Sequence, residues 1–331
     1  MIFPASFQPK KILVIKLKKL GDVLGTTPCV RQLKQLYPEA EITFLSEPLG
    51  AQVYEFSSHI KEVWILPRKP KVLEYLKMIK KVNQGKFDVI IDLYHHNKTA
   101  LMAMFSGVRY RLGFTHENEK VWSYNYTVSL TSHEKIAVNS THHQLKLTNL
   151  IGTNYVDDAI EFKISDREKK FGQNFSKEHN LEANTIAFCV QSERKEAQVP
   201  LELWVKIGDY LTGRGNKLLF IYGPGEKEKA NIVFQQLNNK TACIIDYSVP
   251  KVAETRAILE HCAMYVGNDG GNKHLAVAAG IPTIGLFYGD SPTVWTPNKP
   301  QHRFLQTKEN LTAYNDFLMI YEKWKKSQKK S

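Results

Sequence analysis

The chain alternates between short apolar runs and longer segments in which apolar residues recur with helical spacing. In the first half, apolar runs at 11–17, 41–47 and 87–94 predict strands, and residues 70–84 predict a basic amphipathic helix. The run FDVIIDLY is apolar almost throughout, which is typical of a strand buried on both faces of a parallel sheet. Strands that alternate with helices at this spacing predict an α/β sheet covered by helices on both faces.

The same pattern begins again after a more polar region at 115–165. The strands predicted in this second half cover residues 184–190, 216–223, 242–247, 263–269 and 281–289. We therefore expect an N-terminal Rossmann-like domain over residues 1–165, a C-terminal one over 166–310, and a helix with a basic tail over 311–331 that packs back toward the N-terminal domain. Because open sheets of this class bind ligands at the carboxyl ends of their strands, the two doubly wound domains are expected to face a central cleft.

Composition narrows the class of protein. The 331 residues include four cysteines, none of them spaced as in a CxxC motif, which favours small buried thiols in a reducing compartment. The N-terminus lacks the apolar region and cleavage site of a secretory signal. Because the sequence also lacks a run of about 18 apolar residues, we expect a cytoplasmic protein without a spanning helix.

The net charge of +12 indicates an anionic partner. Two clusters carry much of this charge: residues 68–86 hold seven lysines and arginines against one glutamate, and the C-terminal tail holds five lysines around Trp324. A solvated face is the alternative explanation for either cluster alone. Since the sequence has no recognisable module for DNA or RNA binding, we expect an anionic membrane surface rather than nucleic acid.

The stretch VGNDGGNKHLAVAAG places two glycines among polar side chains, between a predicted strand and a predicted helix. The N-terminus of a helix binds phosphate through its unpaired N–H groups, and Gly270 and Gly271 leave the approach to these groups open. Lys273 adds a cation, and His274 lies in the first helical turn. The pattern fits a pyrophosphate site and an ordinary turn capped by an aspartate or asparagine side chain equally well.

Two long stretches of sequence together indicate a function more specifically than the turn alone. The first half contains KILVIKLKKLGDVLGTTPCVRQLKQLYPEAEITFL, and the second half contains VGNDGGNKHLAVAAGIPTIGLFYGDSPTVWTP. Together they resemble the glycosyltransferase family 9 heptosyltransferases, which add heptose to the inner core of lipopolysaccharide. The positions that match the family pattern are Lys16, Gly21, Asp22, Thr27, Pro28, Tyr37, Pro38, Glu39 and Ala40 in the first half, and Gly267, Asn268, Asp269, Gly271, His274, Leu275 and Ala276 in the second.

The resemblance covers nearly the whole chain and implies the GT-B architecture, with the acceptor bound by the N-terminal domain and a nucleotide diphosphate sugar by the C-terminal domain. It implies an inverting, metal-independent transferase that needs no cofactor and moves heptose from ADP-L-glycero-D-manno-heptose to a lipopolysaccharide core or lipid A precursor. Such an enzyme would lie on the cytoplasmic face of the inner membrane. Two alternatives stay open: a nucleotide-sugar epimerase on the same fold, and a non-catalytic GT-B protein that binds a glycolipid.

The resemblance also implies roles for individual residues. Asp22 would be the general base that accepts the proton of the acceptor hydroxyl, whereas its alternative role is to cap the following helix. The donor-binding residues would be Asp269, Gly270, Gly271, Asn272, Lys273, His274 and Glu226, the last of these through the ribose hydroxyls. The acceptor-binding residues would be Lys16, Lys18, Lys19, Arg109 and Arg111, which suit the phosphates and carboxylates of an anionic oligosaccharide.

One departure from the family pattern concerns the donor phosphates. The family usually carries a phosphate-binding lysine after the strand that corresponds to 184–190, and Ala197 stands in its place here. We expect Arg194 or Lys195 to supply the missing charge from the same loop, or Lys273 to supply it from the glycine-rich turn. Otherwise the donor site is weaker or altered in specificity.

Overall fold

The chain folds into two compact units, over residues 1–163 and 164–331, each built around one six-stranded parallel sheet. The computed structural model describes residues 3–4, 6–115, 122–153, 157–192, 197–308 and 310–328. Among the helices in these ranges, none is long and apolar enough to cross a membrane.

The first unit contains a sheet in the order β3-β2-β1-β4-β5-β6. Its strands are β1 (Lys11–Lys16), β2 (Glu41–Ser46), β3 (Glu62–Ile65), β4 (Val89–Asp92), β5 (Tyr110–Thr115) and β6 (Tyr126–Ser129). Its helices are α1 (Leu20–Leu24), α2 (Thr27–Leu36), α3 (Pro48–Ala51), α4 (Val72–Gln84), α5 (Asn97–Met104), α6 (Ser132–Ala137) and α7 (Ser140–Asn149). The central strands β1 and β4 are buried on both faces, as their apolar runs predict.

The second unit repeats this arrangement. Its strands are β7 (Thr185–Cys189), β8 (Lys217–Phe220), β9 (Cys243–Ile244), β10 (Met264–Asn268), β11 (Thr283–Phe287) and β12 (His302–Gln306). Its helices are α8 (Asp166–Glu178), α9 (Leu201–Gly213), α10 (Lys227–Gln236), α11 (Val252–Leu259), α12 (Gly271–Ala278), α13 (Pro292–Trp295) and α14 (Ala313–Gln328). The sheet order is β9-β8-β7-β10-β11-β12, and the strand pairs are parallel.

Both sheets have the doubly wound order in which the first and fourth strands lie side by side. The chain reverses its winding direction between these two strands, so the connections that follow them leave the sheet on opposite faces. Ligands of open α/β sheets bind outside the carboxyl ends of the strands at this point. It lies between β1 and β4 in the first unit, and between β7 and β10 in the second.

The last helix differs from its prediction. Residues 311–331 were expected to form a separate segment that packs toward the N-terminal domain, but α14 belongs to the second unit and packs into its core. Phe317 and Tyr321 are fully buried there, and the Tyr321 hydroxyl accepts a hydrogen bond from the Asn216 amide at 2.9 Å. The aromatic stripe of this helix, which includes Trp324, therefore faces the core of the second unit.

Candidate functional site

Two buried residues of opposite charge lie at the switch point of the first unit. Lys16 ends β1 and is 6% exposed, and its Nζ donates to the carbonyl of Leu93 at 2.7 Å. Asp92 ends β4 and is fully buried, with its Oδ1 accepting the Tyr94 N–H at 2.9 Å. Burial lowers the pKa of Lys16 and raises the pKa of Asp92. Since the Lys16 ammonium is held inside the unit, it does not present its charge to solvent.

Asp22 lies beside this pair, inside the short helix α1 that follows β1. It is half-buried, and its negative charge raises the pKa of Lys16 against the larger effect of burial. Asp22 caps neither neighbouring helix, because the cap positions of α1 and α2 are Lys19 and Thr26. Within the described ranges, its carboxylate makes no hydrogen bond or ion pair, so both oxygens are available to accept a proton.

The other expected acceptor residues fall in two different places. The Nζ of Lys18, an exposed residue at the carboxyl edge of the sheet, lies 5.6 Å from the ring centroid of Tyr94, and Lys19 is the N-cap residue of α1. Arg109 and Arg111 lie at the amino end of β5, beside the amino end of β4. The parallel sheet therefore separates these two arginines from the carboxyl edge.

Arg111 is also engaged in the fold. Its Nε donates to the carbonyl of Ser123 at 2.8 Å, and its Nη1 donates to the carbonyl of Val108. The guanidinium of Arg109 lies 5.4 Å from the ring centroid of Tyr110. Both arginines thus contact the chain around β5, and the structure does not bring them together with Asp22.

A cationic cavity of about 250 Å³ opens at the carboxyl edge of the same sheet. Its charged and polar lining consists of Glu47, Arg68, Lys69, Tyr94 and Lys98. Burial raises the pKa of Tyr94, and the nearby carboxylates of Glu47 and Asp22 add to this effect. Three cations against one carboxylate suit an anionic ligand. Sequence reasoning missed Glu47, Tyr94 and Lys98, although each lies within two residues of the end of a strand or the start of a helix at this edge.

In the second unit, the glycine-rich turn forms as predicted between β10 and α12. Gly270 precedes the helix, and its carbonyl accepts the N–H groups of Lys273 and His274 at 3.1 and 3.3 Å. The N–H groups of Gly271 and Asn272 have no preceding helical carbonyl to bond. No described side chain caps α12, so an aspartate or asparagine cap does not account for the polar turn. The helix N-terminus instead keeps its N–H groups available to an anion.

The side chain of Asn268 has a structural role, because it forms hydrogen bonds with the loop after β7. It is 1% exposed, and its side-chain amide donates to the carbonyl of Val190 at 2.8 Å. Its Oδ1 accepts the N–H of Val199 at 3.4 Å. This side chain therefore joins the carboxyl end of β10 to the loop after β7. Asn272 adds a weaker link, because its amide lies 3.6 Å from the Sγ of Cys189.

Lys273 is buried, although it was expected to offer its charge to the donor phosphates. It is 1% exposed, and its Nζ lies 2.5 Å from Oδ1 of Asp269. The same ammonium donates to the carbonyl of Trp295 at 3.0 Å and lies 4.4 Å from the ring centroid of Phe287. Burial lowers the pKa of Lys273, and Asp269 opposes this effect. The ammonium therefore fixes the Asp269 carboxylate, which retains 12% exposure.

Gly285 on β11 provides the space for the Lys273 side chain. A Cβ at this glycine would lie 2.9 Å from Cδ of Lys273 and 3.1 Å from the ring of Phe287. Both distances are too short for an ordinary contact, so the interior position of Lys273 depends on the missing side chain.

His274 and Glu226 lie at the carboxyl edge of the second sheet. Burial and the charge of Lys273 lower the pKa of His274 to about 4, so its imidazole is neutral at pH 7. Its ring packs edge-on against Trp295, with the centroids 6.0 Å apart. Glu226 is half-buried, and its Oε2 accepts the N–H of Gly223 at 2.7 Å, which closes the loop after β8.

The loop expected to replace the missing lysine lies partly outside the described residues. Arg194 and Lys195 lie outside the described residues, whereas Ala197 is 7% exposed. A cavity of about 400 Å³ opens beside this loop at the carboxyl end of β7. Its lining includes Gln191, Gln198 and Lys229.

Comparisons with known proteins identify the family and the fold. The family model of glycosyltransferase family 9 (heptosyltransferase) matches residues 75–324. Lipopolysaccharide heptosyltransferase 3 of Escherichia coli K12 is 22% identical over 294 residues, which cover 84% of this chain and 82% of that protein.

Two solved structures show the fold. The family 9 glycosyltransferase of Veillonella parvula has a TM-score of 0.80 at 21% identity, covering 94% of this chain and 90% of the other. An Escherichia coli heptosyltransferase solved with ADP-2-deoxy-2-fluoro heptose has a TM-score of 0.73 at 17% identity, covering 95% and 99%. These matches confirm the predicted fold class of two doubly wound α/β domains.

Proposed function

Because the chain belongs to glycosyltransferase family 9, the heptosyltransferases, we propose that it transfers heptose from ADP-L-glycero-D-manno-heptose to the inner core of lipopolysaccharide. The choice of acceptor is supported by the relative named as a lipopolysaccharide heptosyltransferase, and the choice of ADP by the related structure that contains an ADP-heptose analogue. One observation carries the proposal: each unit places functional groups at its own switch point, a carboxylate without a described partner in the first and a helix N-terminus without a described side-chain cap in the second.

Asp22 acts as the general base in this proposal. It accepts the proton of an acceptor hydroxyl while that oxygen attacks the anomeric carbon of heptose from the face opposite the diphosphate, which inverts the configuration. The half-buried carboxylate near Lys16 is free to do so, because no described side chain donates to it.

The N-terminus of α12 binds the diphosphate of the donor. The N–H groups of Gly271 and Asn272, together with the positive end of the helix dipole, stabilise the negative charge that grows on the leaving ADP. In this proposal protein groups replace a metal ion. Neutral His274 lies in the first turn of this helix, and Glu226 binds the ribose hydroxyls with the oxygen that the loop leaves free.

Asp269 binds hydroxyl groups of the heptose, and Lys273 is its positioning residue. The buried ammonium holds one carboxylate oxygen and so fixes the orientation of the carboxylate, which remains 12% exposed. Lys273 therefore contributes to donor binding through Asp269 and not through the phosphates.

The cationic cavity of the first unit binds anionic groups of the acceptor. Lys98, Arg68 and Lys69 line it, and Lys18 lies beside Tyr94 at its border. These four residues replace Arg109 and Arg111 in the acceptor site. We propose that the enzyme works at the cytoplasmic face of the inner membrane, where its basic surface would meet anionic lipid.

The test is an incubation of the purified protein with ADP-heptose and a series of lipopolysaccharide precursors that carry no heptose, one heptose or two heptoses, because the sequence leaves open which core sugar is the acceptor. Release of ADP and a mass increase of the acceptor by one heptose should both depend on the acceptor. Conversion of the donor sugar without any acceptor would instead identify an epimerase. Binding of ADP-heptose without turnover in the presence of acceptor would identify a non-catalytic binding protein.

A further inference from the structure

The first two turns of α4 expose apolar side chains. Val72, Leu73 and Leu76 are 76%, 63% and 53% exposed, and their spacing places them on one side of the helix. A different side of the same helix packs against the core of the first unit through Tyr75, Met78, Ile79 and Val82. The helix is therefore anchored by one face and presents an apolar surface with the other.

This apolar surface lies at the carboxyl edge of the sheet. The helix follows β3, the edge strand, whose last residue Ile65 is 53% exposed. The loop between them contributes Arg68, Lys69 and Pro70 to the cationic cavity. The exposed side chains and the cavity are consequently neighbours along the chain and share one edge of the unit.

The charges around this surface are almost all positive. Residues 68–86 contain seven lysines and arginines, with Glu74 as the single acidic residue. The carboxylate of Glu74 accepts the N–H of Lys71 at 2.8 Å and closes the helix N-terminus. A helix with exposed leucines and a border of cations matches the interfacial zone of an anionic bilayer, where apolar side chains enter the acyl boundary and lysines meet the headgroups.

We propose that Val72, Leu73 and Leu76 insert into an anionic lipid surface, with Lys77 and Lys80 on its headgroups. This adds an apolar anchor to the expected basic patch. It rests on the proposed function in one respect: a lipid-linked acceptor would then arrive beside the cavity that binds its anionic groups.

The test is sedimentation of the full chain with vesicles of phosphatidylethanolamine and phosphatidylglycerol, compared with vesicles of phosphatidylcholine alone. The Leu73→Gln/Leu76→Gln variant should lose roughly tenfold or more of its affinity for the anionic vesicles, because two leucines no longer leave water. The matched control is Leu311→Gln/Met319→Gln, which removes two equally apolar side chains that are 103% and 65% exposed in the second unit. This control should bind like the wild type.

A second variant tests whether the lysine charges of α4 contribute to vesicle binding. Lys77→Gln/Lys80→Gln should bind anionic vesicles less tightly and show a smaller loss of binding as salt is raised. Equal binding of the wild type to both kinds of vesicle, or unchanged binding of the leucine variant, would overturn the inference. A dimer that the leucine variant converts to a monomer, with vesicle binding unchanged, would assign the surface to a second copy of the chain and also overturn it.

An activity assay keeps this inference separate from the proposed function. With an acceptor dissolved in detergent, the leucine variant should transfer heptose as fast as the wild type, whereas with the acceptor embedded in vesicles it should be slower. If the wild type transfers no heptose to the dissolved acceptor, the proposed function fails, while the vesicle binding still decides the inference.

Discussion

The ion pair between Lys273 and Asp269 allows a quantitative prediction. Replacement of Lys273 by Met keeps the length of the side chain beside Gly285 but removes the ammonium, which contacts Asp269 at 2.5 Å and the carbonyl of Trp295 at 3.0 Å. Loss of one partner of a buried pair costs about 3–5 kcal/mol. Because the Asp269 side chain is 12% exposed and water can reach it, we expect the free energy of unfolding to fall by an amount near the lower end of this range, about 3 kcal/mol.

Replacement of Asp269, the other partner of the pair, should lower the free energy of unfolding by more. Asp269→Asn leaves an ammonium that is 1% exposed without its counter-charge, so we expect a loss near the upper end, about 5 kcal/mol. The double variant contains neither charge and should be more stable than Asp269→Asn alone. The coupling free energy between the two sites should therefore be large, about 2 kcal/mol or more.

Urea unfolding followed by tryptophan fluorescence measures these differences, and steady-state kinetics complete the test. Since Lys273 positions Asp269, the Lys273→Met variant should show a higher KM for ADP-heptose and an unchanged KM for the acceptor. Additive losses of stability in the double variant would refute the pairing. A lower affinity for ADP alone, which has no heptose, would show that Lys273 acts on the phosphates instead.

Three further predictions concern catalysis, acceptor binding and pH. Asp22→Asn should lower kcat about a hundredfold or more while ADP still binds, and an unchanged kcat would remove Asp22 from its role as base. Lys98→Gln should raise the KM for an anionic acceptor roughly tenfold with the KM for the donor unchanged, and equal effects on both would contradict a role in the acceptor site. The pKa values of His274 and His302 are both lowered from 6.5 to about 4, chiefly by burial, so the unfolded chain binds more protons than the folded chain between these values. The contribution of these two histidines to the free energy of unfolding should thus be complete above pH 6.5 and fall as the pH drops toward 4. Over this range, the urea midpoint of His302→Gln should decrease less steeply with falling pH than that of the wild type. Parallel curves for the two proteins would exclude His302 as a cause.

The central strands could be predicted from the sequence because they are buried on both faces. β1, β4, β7 and β10 all appear as continuous apolar runs. The edge strands β6 and β12 carry no such signal, because β6 contains no fully buried residue and β12 places two exposed residues between its buried ones. The partial exposure of these two strands thus explains why the hydrophobic pattern does not reveal them.

Those parts of the candidate site whose residues are contiguous in the sequence could be predicted from it. The turn around Gly270 is recognisable because the strand, the glycines and the helix are contiguous in sequence. The pairing of Lys273 depends on Gly285 and Trp295, which approach only through the fold. Arg109 could have been excluded from the sequence, since a residue that precedes a strand lies at the amino edge of a parallel sheet.

Gly285 makes the residues that positions 273 and 285 can accept depend on each other. Because a Cβ there would lie 2.9 Å from Cδ of Lys273, an alanine at 285 suits only a shorter residue at 273, and a long residue at 273 needs the glycine. Mutagenesis that samples one of these sites at a time will reject substitutions that are acceptable as a pair. Directed evolution of donor preference in this turn should therefore randomise both positions in the same library.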